Sequence, residues 1–270
     1  MTKTNFEVRQ WAFSYLNQAD VDLLLMGLND WTYSQLILHL RDECQNWPIF
    51  EAYVRRARND EPIQYILKQA HFYDRFFYVD QRVLIPRMET EELIEWVLAD
   101  NQQSHQKVLD LGTGSGAIAI TLKCEQPSWQ VTASDISKDA IAVAKQNSTS
   151  LKANVDFIVS DVFNNIDDKY DLIISNPPYI ADTEITVMDQ TVLKYEPHLA
   201  LFAPNHGLAI YQQIALNLKD HLLTNGTAYF EIGYQQGPQI IAIFKKALPD
   251  ATVSLQKDMA GNDRMIKVGV

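Results

Sequence analysis

Cysteine is scarce in this chain of 270 residues: Cys44 and Cys124 are the only two. They have neither metal-ligand spacing nor the makings of a disulfide framework, which fits a reducing compartment. The six histidines are scattered without ligand spacing, so no metal site is expected. Long apolar runs are missing as well. No stretch approaches the ~20 uninterrupted apolar residues of a membrane span, and the opening residues 1–10 lack the apolar core of a secretory leader. A soluble, cytoplasmic protein without membrane contact is expected. Positive charge is in deficit, with 23 Lys and Arg against 34 Asp and Glu and a formal charge of −11. Duplex binding draws most of its non-specific affinity from cationic contacts, so stable nucleic-acid binding is not expected. A small molecule or a protein, above all a basic one, suits such a surface better.

Hydrophobic residues make up 47% and charged residues 21%, an ordinary globular balance sized for one large or two unequal domains. Residues 1–65 read as a helical domain. Val8, Trp11, Ala12, Tyr15 and Leu16 fall at helical spacing, Thr32 and Gln35 form a capping box, and Pro48 suits a first helical turn. Arg55, Arg56 and Arg58 cluster at a helix end, as a solvated face or a partner contact. The character changes after Glu61-Pro62. Aromatic segments 71–75 and 76–80 predict a hairpin inside a linker over 66–88, followed by an amphipathic helix over 89–100.

From Lys107 strand and helix alternate through a third region, 89–270. Strands are expected at 107–111, 130–134, 155–159, 171–175, 227–232, 251–256 and 264–269, with helices near 116–123, 138–148, 208–223 and 236–247. This is the pattern of an α/β fold, a mostly parallel seven-stranded sheet with helices on both faces. Ligands bind such sheets beyond the carboxyl ends of the strands, and the two strongest motifs sit at such ends.

The first motif is Asp110-Leu111-Gly112-Thr113-Gly114-Ser115-Gly116, between a strand and a helix. Glycines let backbone approach a ligand closely, and a helix N-terminus favours a carboxylate. Asp110 suits a positive ammonium, so the loop points to the amino-acid end of S-adenosylmethionine. Asp135, at the next strand end, can accept hydrogen bonds from ribose hydroxyls; capping of the following helix is its structural alternative, although Ser137 can do that instead. Asp161 can meet an adenine amino group, with Val162 and Phe163 beside the ring. The second motif is Asn176-Pro177-Pro178-Tyr179. The Asn176 side-chain oxygen and the Pro177 carbonyl can each accept one N–H of a planar NH2 group. The prolines stiffen the loop, and Tyr179 offers a flat face for stacking. Together the motifs predict methyl transfer to an amide or amino nitrogen by positioning and electrostatics, with Asn176, Pro177 and Tyr179 central and Asn176 also touching the cofactor.

In order along the chain, Pro62-Ile63-Gln64-Tyr65-Ile66, the stretch Val83 to Glu91 with Leu84-Ile85-Pro86-Arg87 and Thr90 inside it, the two motifs, Tyr195-Glu196-Pro197, Glu231-Ile232-Gly233 and Gly261-Asn262-Asp263-Arg264 resemble the PrmC/HemK family of protein-(glutamine-N5) methyltransferases. The resemblance implies a class I, Rossmann-like methyltransferase. It would move a methyl group from S-adenosyl-L-methionine to the glutamine of the Gly-Gly-Gln motif in class 1 peptide-chain release factors, modulating translation termination and leaving S-adenosyl-L-homocysteine. It implies cofactor contacts at 112–116, Asp135, Asp161 and Val162, a glutamine grip at 176–179, and docking of the release factor on the helical domain. Lys68, Met88 and Ala203-Pro204-Asn205-His206 depart from the family's pattern, outside the two central motifs. DNA adenine-N6 and RNA guanine-N2 methyltransferases use related loops on flipped or exposed bases. They remain the alternative, although residues 1–80 hold eight Lys and Arg against eleven Asp and Glu and so form no basic platform.

Overall fold

The computed structural model describes residues 3–270, the Asp182 side chain apart. By contacts the chain divides into two units, residues 1–69 with 189–195, and residues 70–188 with 196–270.

The first unit is helical. Thr4 and Thr32 each open a helix with a capping box, to Glu7 and Gln35, so orphan N–H groups at both starts are satisfied. Val8, Leu24, Leu25, Phe50 and Val54 form its core. The buried Arg9 guanidinium donates twice to Asp22, at 2.6 and 2.8 Å. The arginine cluster is spent inside this unit. Arg55 pairs with Glu51 and Arg56 with Glu61, while Arg58 lies over the Tyr15 ring. The segment Gln190–Tyr195, a short helix not anticipated from the sequence, joins this unit, where Tyr195 donates to the Asn59 carbonyl.

The second unit begins with a hairpin of β1 (Ala70–Phe72) and β2 (Arg75–Phe77). The expected strands 71–75 and 76–80 had the turn in the wrong place. It falls at Tyr73-Asp74, both in the left-handed region at φ 49° and 57°. A type I′ two-residue hairpin loop needs positive φ at both central positions; Tyr73 carries none of the usual turn signal, and its N–H is held by Glu91 at 2.9 Å. The remaining strands are β3 (Lys107–Leu111), β4 (Gln130–Asp135), β5 (Asp156–Val159), β6 (Tyr170–Ser175), β7 (Leu222–Glu231), β8 (Thr252–Lys257) and β9 (Asp263–Gly269). They form one seven-stranded sheet in the order β5-β4-β3-β6-β7-β9-β8, parallel from β5 to β7 and antiparallel at β9 and β8.

Alternation along the central strands builds a core on each face. Val108, Leu172 and Ile174 join the cluster that takes in Leu93, Ile94 and Val97 of helix Met88–Asp100 and Ile118 and Leu122 of helix Ala117–Glu125. Leu109, Ile173 and Phe230 face the other way, with Ile214 and Leu218 of helix Ala209–His221 and Ile240 and Phe244 of helix Gly237–Ala247. The strands are apolar on both faces, as helix-covered parallel sheets require. Among the described residues no helix is long and apolar enough to cross a membrane.

Candidate active site

The sheet order decides what meets what. Leu111 pairs with Ser134 on one side and Ser175 on the other. The carboxyl ends of β5, β4, β3 and β6 therefore present Asp161, Asp135, the glycine loop and Asn176 in a row. The Ser175 hydroxyl ties the two motif loops at their roots by donating to the Leu111 carbonyl at 2.7 Å. One cavity runs along this row. Its lining includes Gly112, Gly114, Asp135, Asp161, Val162, Asn176, Pro177 and Pro178.

The glycine loop is held from below. Asp110, fully buried, accepts from the Thr113 hydroxyl at 2.6 Å and the Ala119 N–H at 3.2 Å through the same oxygen. Burial raises its pKa to about 7. Its other oxygen has no hydrogen-bond partner. Gly112 and Gly114 line the cavity, with the Asp110–Thr113 hydrogen bond beneath them. Gly112 and Gly114 sit at φ 75° and 55°, and a Cβ at either would meet nothing within 4 Å. The glycines are thus required by backbone conformation, beside open space in which a ligand can rest on the backbone.

Asp135 is aimed by two backbone donors. Its oxygens accept from the Gly114 and Ser137 N–H groups, each at 2.9 Å, while Ser137 itself caps the following helix by accepting from Ala140. The capping alternative for Asp135 therefore falls to Ser137. Each carboxylate oxygen keeps a lone pair for a ligand hydroxyl. Val162 holds φ 46°, uncommon for a β-branched residue. The Ser160 hydroxyl, which donates to the Val162 carbonyl at 2.9 Å, fixes that turn. With Ile136, half exposed beside Asp135, Val162 offers apolar surface suited to a flat ring. A carboxylate for hydroxyls, an open glycine cradle and an apolar slot fit S-adenosylmethionine.

The cavity takes in Leu84 of the Leu84-Ile85-Pro86-Arg87 stretch and also residues that the sequence did not single out, among them Ile136, Leu199 and Ile210. Leu199 and Ile210 lie on short or late helices whose approach depends on the sheet order, so only Ile136, next to Asp135, left a local signal.

Tyr179 is braced from two sides. Its carbonyl accepts from the Gln236 amide at 2.8 Å, and its hydroxyl lies 3.4 Å from Glu231. A Cβ on Gly207, at φ 77°, would stand 1.9 Å from the Tyr179 carbonyl oxygen. Gly207→Ala is therefore expected to displace this loop, at a cost of about 2 to 4 kcal/mol. Thermal denaturation and methyl-transfer rate should both fall, and unchanged values for both would contradict the packing argument.

Glu231, at the end of β7, is buried and its pKa is raised to about 7 chiefly by desolvation. Asp110 and Glu231 both bind a proton more tightly folded than unfolded, so their contribution is fully present at low pH and is lost as pH rises through about 7. Asp80, lowered to about 2 by Arg82, acts in the opposite sense and only in acid. The melting temperature of the ligand-free protein should therefore fall between about pH 5 and pH 8, and Asp110→Asn should flatten that slope. A melting temperature that rises over the same interval would refute the assignment.

The chain matches two family models in turn, the PrmC N-terminal domain over residues 7–67 and the methyltransferase small domain over residues 89–200. The release factor glutamine methyltransferase of Lactococcus lactis subsp. lactis is 53% identical over 214 residues, 79% of either chain. That of Enterococcus faecalis is 40% identical over 273 residues, covering 98% of this chain and 99% of its own. A crystal structure of a methyltransferase from Pyrococcus furiosus shares the fold at 15% identity, with a TM-score of 0.53 over 72% of this chain and 87% of that one. With one relative 53% identical over 79% of its length and another 40% identical over 99%, the chain belongs to the release factor glutamine methyltransferase family.

Proposed function

We propose that this protein methylates the side-chain amide nitrogen of the glutamine in the Gly-Gly-Gln motif of class 1 release factors, in the cytoplasm, with S-adenosylmethionine as donor. The observation that carries this is the Asn176-Pro177 pair in the lining of the glycine-loop cavity. Among the described residues, neither the Asn176 side-chain oxygen nor the Pro177 carbonyl receives a hydrogen bond. Two acceptors on a rigid loop fit the two N–H bonds of one planar amide.

The bound donor supplies an electrophilic methyl group on a sulfonium. Gly112 and Gly114 would cradle its amino-acid end, Asp135 would take the ribose hydroxyls, and Val162 with Asp161 would meet the adenine. Asn176 and Pro177 hold the glutamine NH2 so that its nitrogen faces the methyl, and as positive charge builds on nitrogen their oxygens stabilise it. Tyr179 closes one side of the amide plane. Asn176 has no acidic proton to exchange, so it acts as an acceptor and not as a base; the surplus proton leaves to solvent once the nitrogen is cationic. The regions 1–65, 66–88 and 89–270 serve as docking domain, linker and catalytic domain. Exposed Phe6, Tyr33, Ile37 and Leu38 give the first of these apolar contacts suited to a protein partner.

Incubation with methyl-labelled S-adenosylmethionine and purified release factor, beside duplex DNA and ribosomal RNA, tests the reading. Label should enter the release factor. Label entering only nucleic acid would replace it with base methylation.

A further inference from the structure

Asn176 carries an amide whose two ends differ: its oxygen can accept from a substrate NH2 and its nitrogen cannot. Loop stiffness fixes where this side chain sits but not which end faces the acceptor. The Asn176 nitrogen Nδ2 lies 3.1 Å from the Thr90 hydroxyl, and that hydroxyl lies 2.6 Å from Glu231 Oε2. Thr90 and Glu231 are 4% and 1% exposed, so no solvent intrudes on the pair. The three residues come from separate elements: the first turn of helix Met88–Asp100, the end of β7, and the loop after β6.

A hydroxyl has one hydrogen. With Glu231 ionised, as it is above about pH 7, the carboxylate accepts only, so at the 2.6 Å contact the Thr90 hydrogen points to Glu231. The lone pairs of Thr90 Oγ1 are then all that Asn176 meets, and only the NH2 end of its amide satisfies them. The Asn176 oxygen is left turned away, toward the acceptor. The other carboxylate oxygen, Oε1, lies 3.4 Å from the Tyr179 hydroxyl, so one carboxylate touches both ends of the gripping loop.

Resting on the function proposed above, we infer that Thr90 and Glu231 form a relay of fixed polarity that orients the Asn176 amide, which makes both of them positioning residues for methyl transfer. A helical Thr hydroxyl ordinarily turns back to a carbonyl of the preceding turn; here it points across to β7. A buried carboxylate is otherwise a burden on the fold, and none of the proposed cofactor or amide contacts uses Glu231.

Thr90→Val keeps shape and removes the hydroxyl. It should lower kcat by about ten- to a hundredfold, leave the Kd for S-adenosylmethionine within about twofold, and move the KM for release factor little. Thr90→Ser should recover most of the lost rate. Glu231→Met frees the Thr90 hydrogen to meet the Asn176 oxygen; kcat should fall similarly, with cofactor affinity reporting an intact fold. Because both substitutions break one relay, the double variant should be no slower than the slower single variant. A Thr90→Val enzyme within about twofold of wild-type kcat, or single losses that multiply in the double variant, would overturn the relay. Wild-type label in the release factor alongside either result leaves the function standing. A wild type that does not label release factor overturns the function and the relay with it.

Discussion

Asn176→Ala should cut turnover by about a thousandfold, equivalent to about 4 kcal/mol of transition-state stabilisation. An amide nitrogen is a poor nucleophile because its lone pair is delocalised into the carbonyl. Reaction needs the NH2 held in one plane with nitrogen facing the methyl, and needs acceptors waiting where positive charge develops. Alanine removes one of two such acceptors and leaves the Pro177 carbonyl, so the remaining grip neither orients nor polarises fully. The effect should sit in kcat, because a protein substrate binds over a wide surface of which one amide is a small part. S-adenosylmethionine affinity should change by only a few-fold, since the glycine loop and Asp135 are untouched. Single-turnover kinetics beside cofactor titration would separate the two. Turnover near wild type would remove Asn176 from the grip.

Asp135→Ala should act on the other substrate, raising the Kd for S-adenosylmethionine by about a hundredfold. A hydrogen bond to a charged group contributes about 1.5 to 3 kcal/mol, and a ribose offers two hydroxyls to one carboxylate. The substitution also releases the Gly114 and Ser137 N–H groups that Asp135 holds. The glycine loop then loses its tie to β4, and pre-organisation goes with the direct contact. At saturating cofactor kcat should recover to within about tenfold of wild type, because the amide grip lies on β6 and not on β4. Isothermal titration checks the first number and saturation kinetics the second. An unchanged Kd would show that the ribose is held elsewhere.

The contrast between these residues and the rest explains what the sequence could reveal. Asp135 and Asn176 sit at the ends of apolar strands, where a short polar signature follows a run such as Leu172-Ile173-Ile174. Parallel strands announce themselves by that run, and a doubly wound sheet puts their carboxyl ends on one edge. The row Asp161, Asp135, glycine loop, Asn176 therefore follows from strand order. Local spacing does not display how the loop is supported: Asp110 spends one oxygen on Thr113 and Ala119. Thr90 lies within the Val83 to Glu91 stretch of the family resemblance but shows no role there, and Gln236 carries no signal. Their roles depend on hydrogen bonds to residues 86 and 57 positions away, and nothing in a helix-start threonine or an exposed-looking glutamine encodes the partner. The turn at Tyr73-Asp74 was missed for a related reason, since its strained φ values are supported by Glu91 eighteen residues on. The departure at Ala203-Pro204-Asn205-His206 resolves into a turn with Asn205 and His206 both at φ 56°, which delivers Gly207 against the Tyr179 carbonyl.

The central claim is that this site methylates a glutamine amide on a protein, and mass spectrometry tests it most directly. Release factor incubated with the enzyme and S-adenosylmethionine, then digested and fragmented, should carry a single methyl group on the side-chain nitrogen of the Gly-Gly-Gln glutamine, and release factor with that glutamine replaced should stay unmodified. A methyl group on any other residue, or a replaced release factor methylated as fast as the native one, would contradict the account.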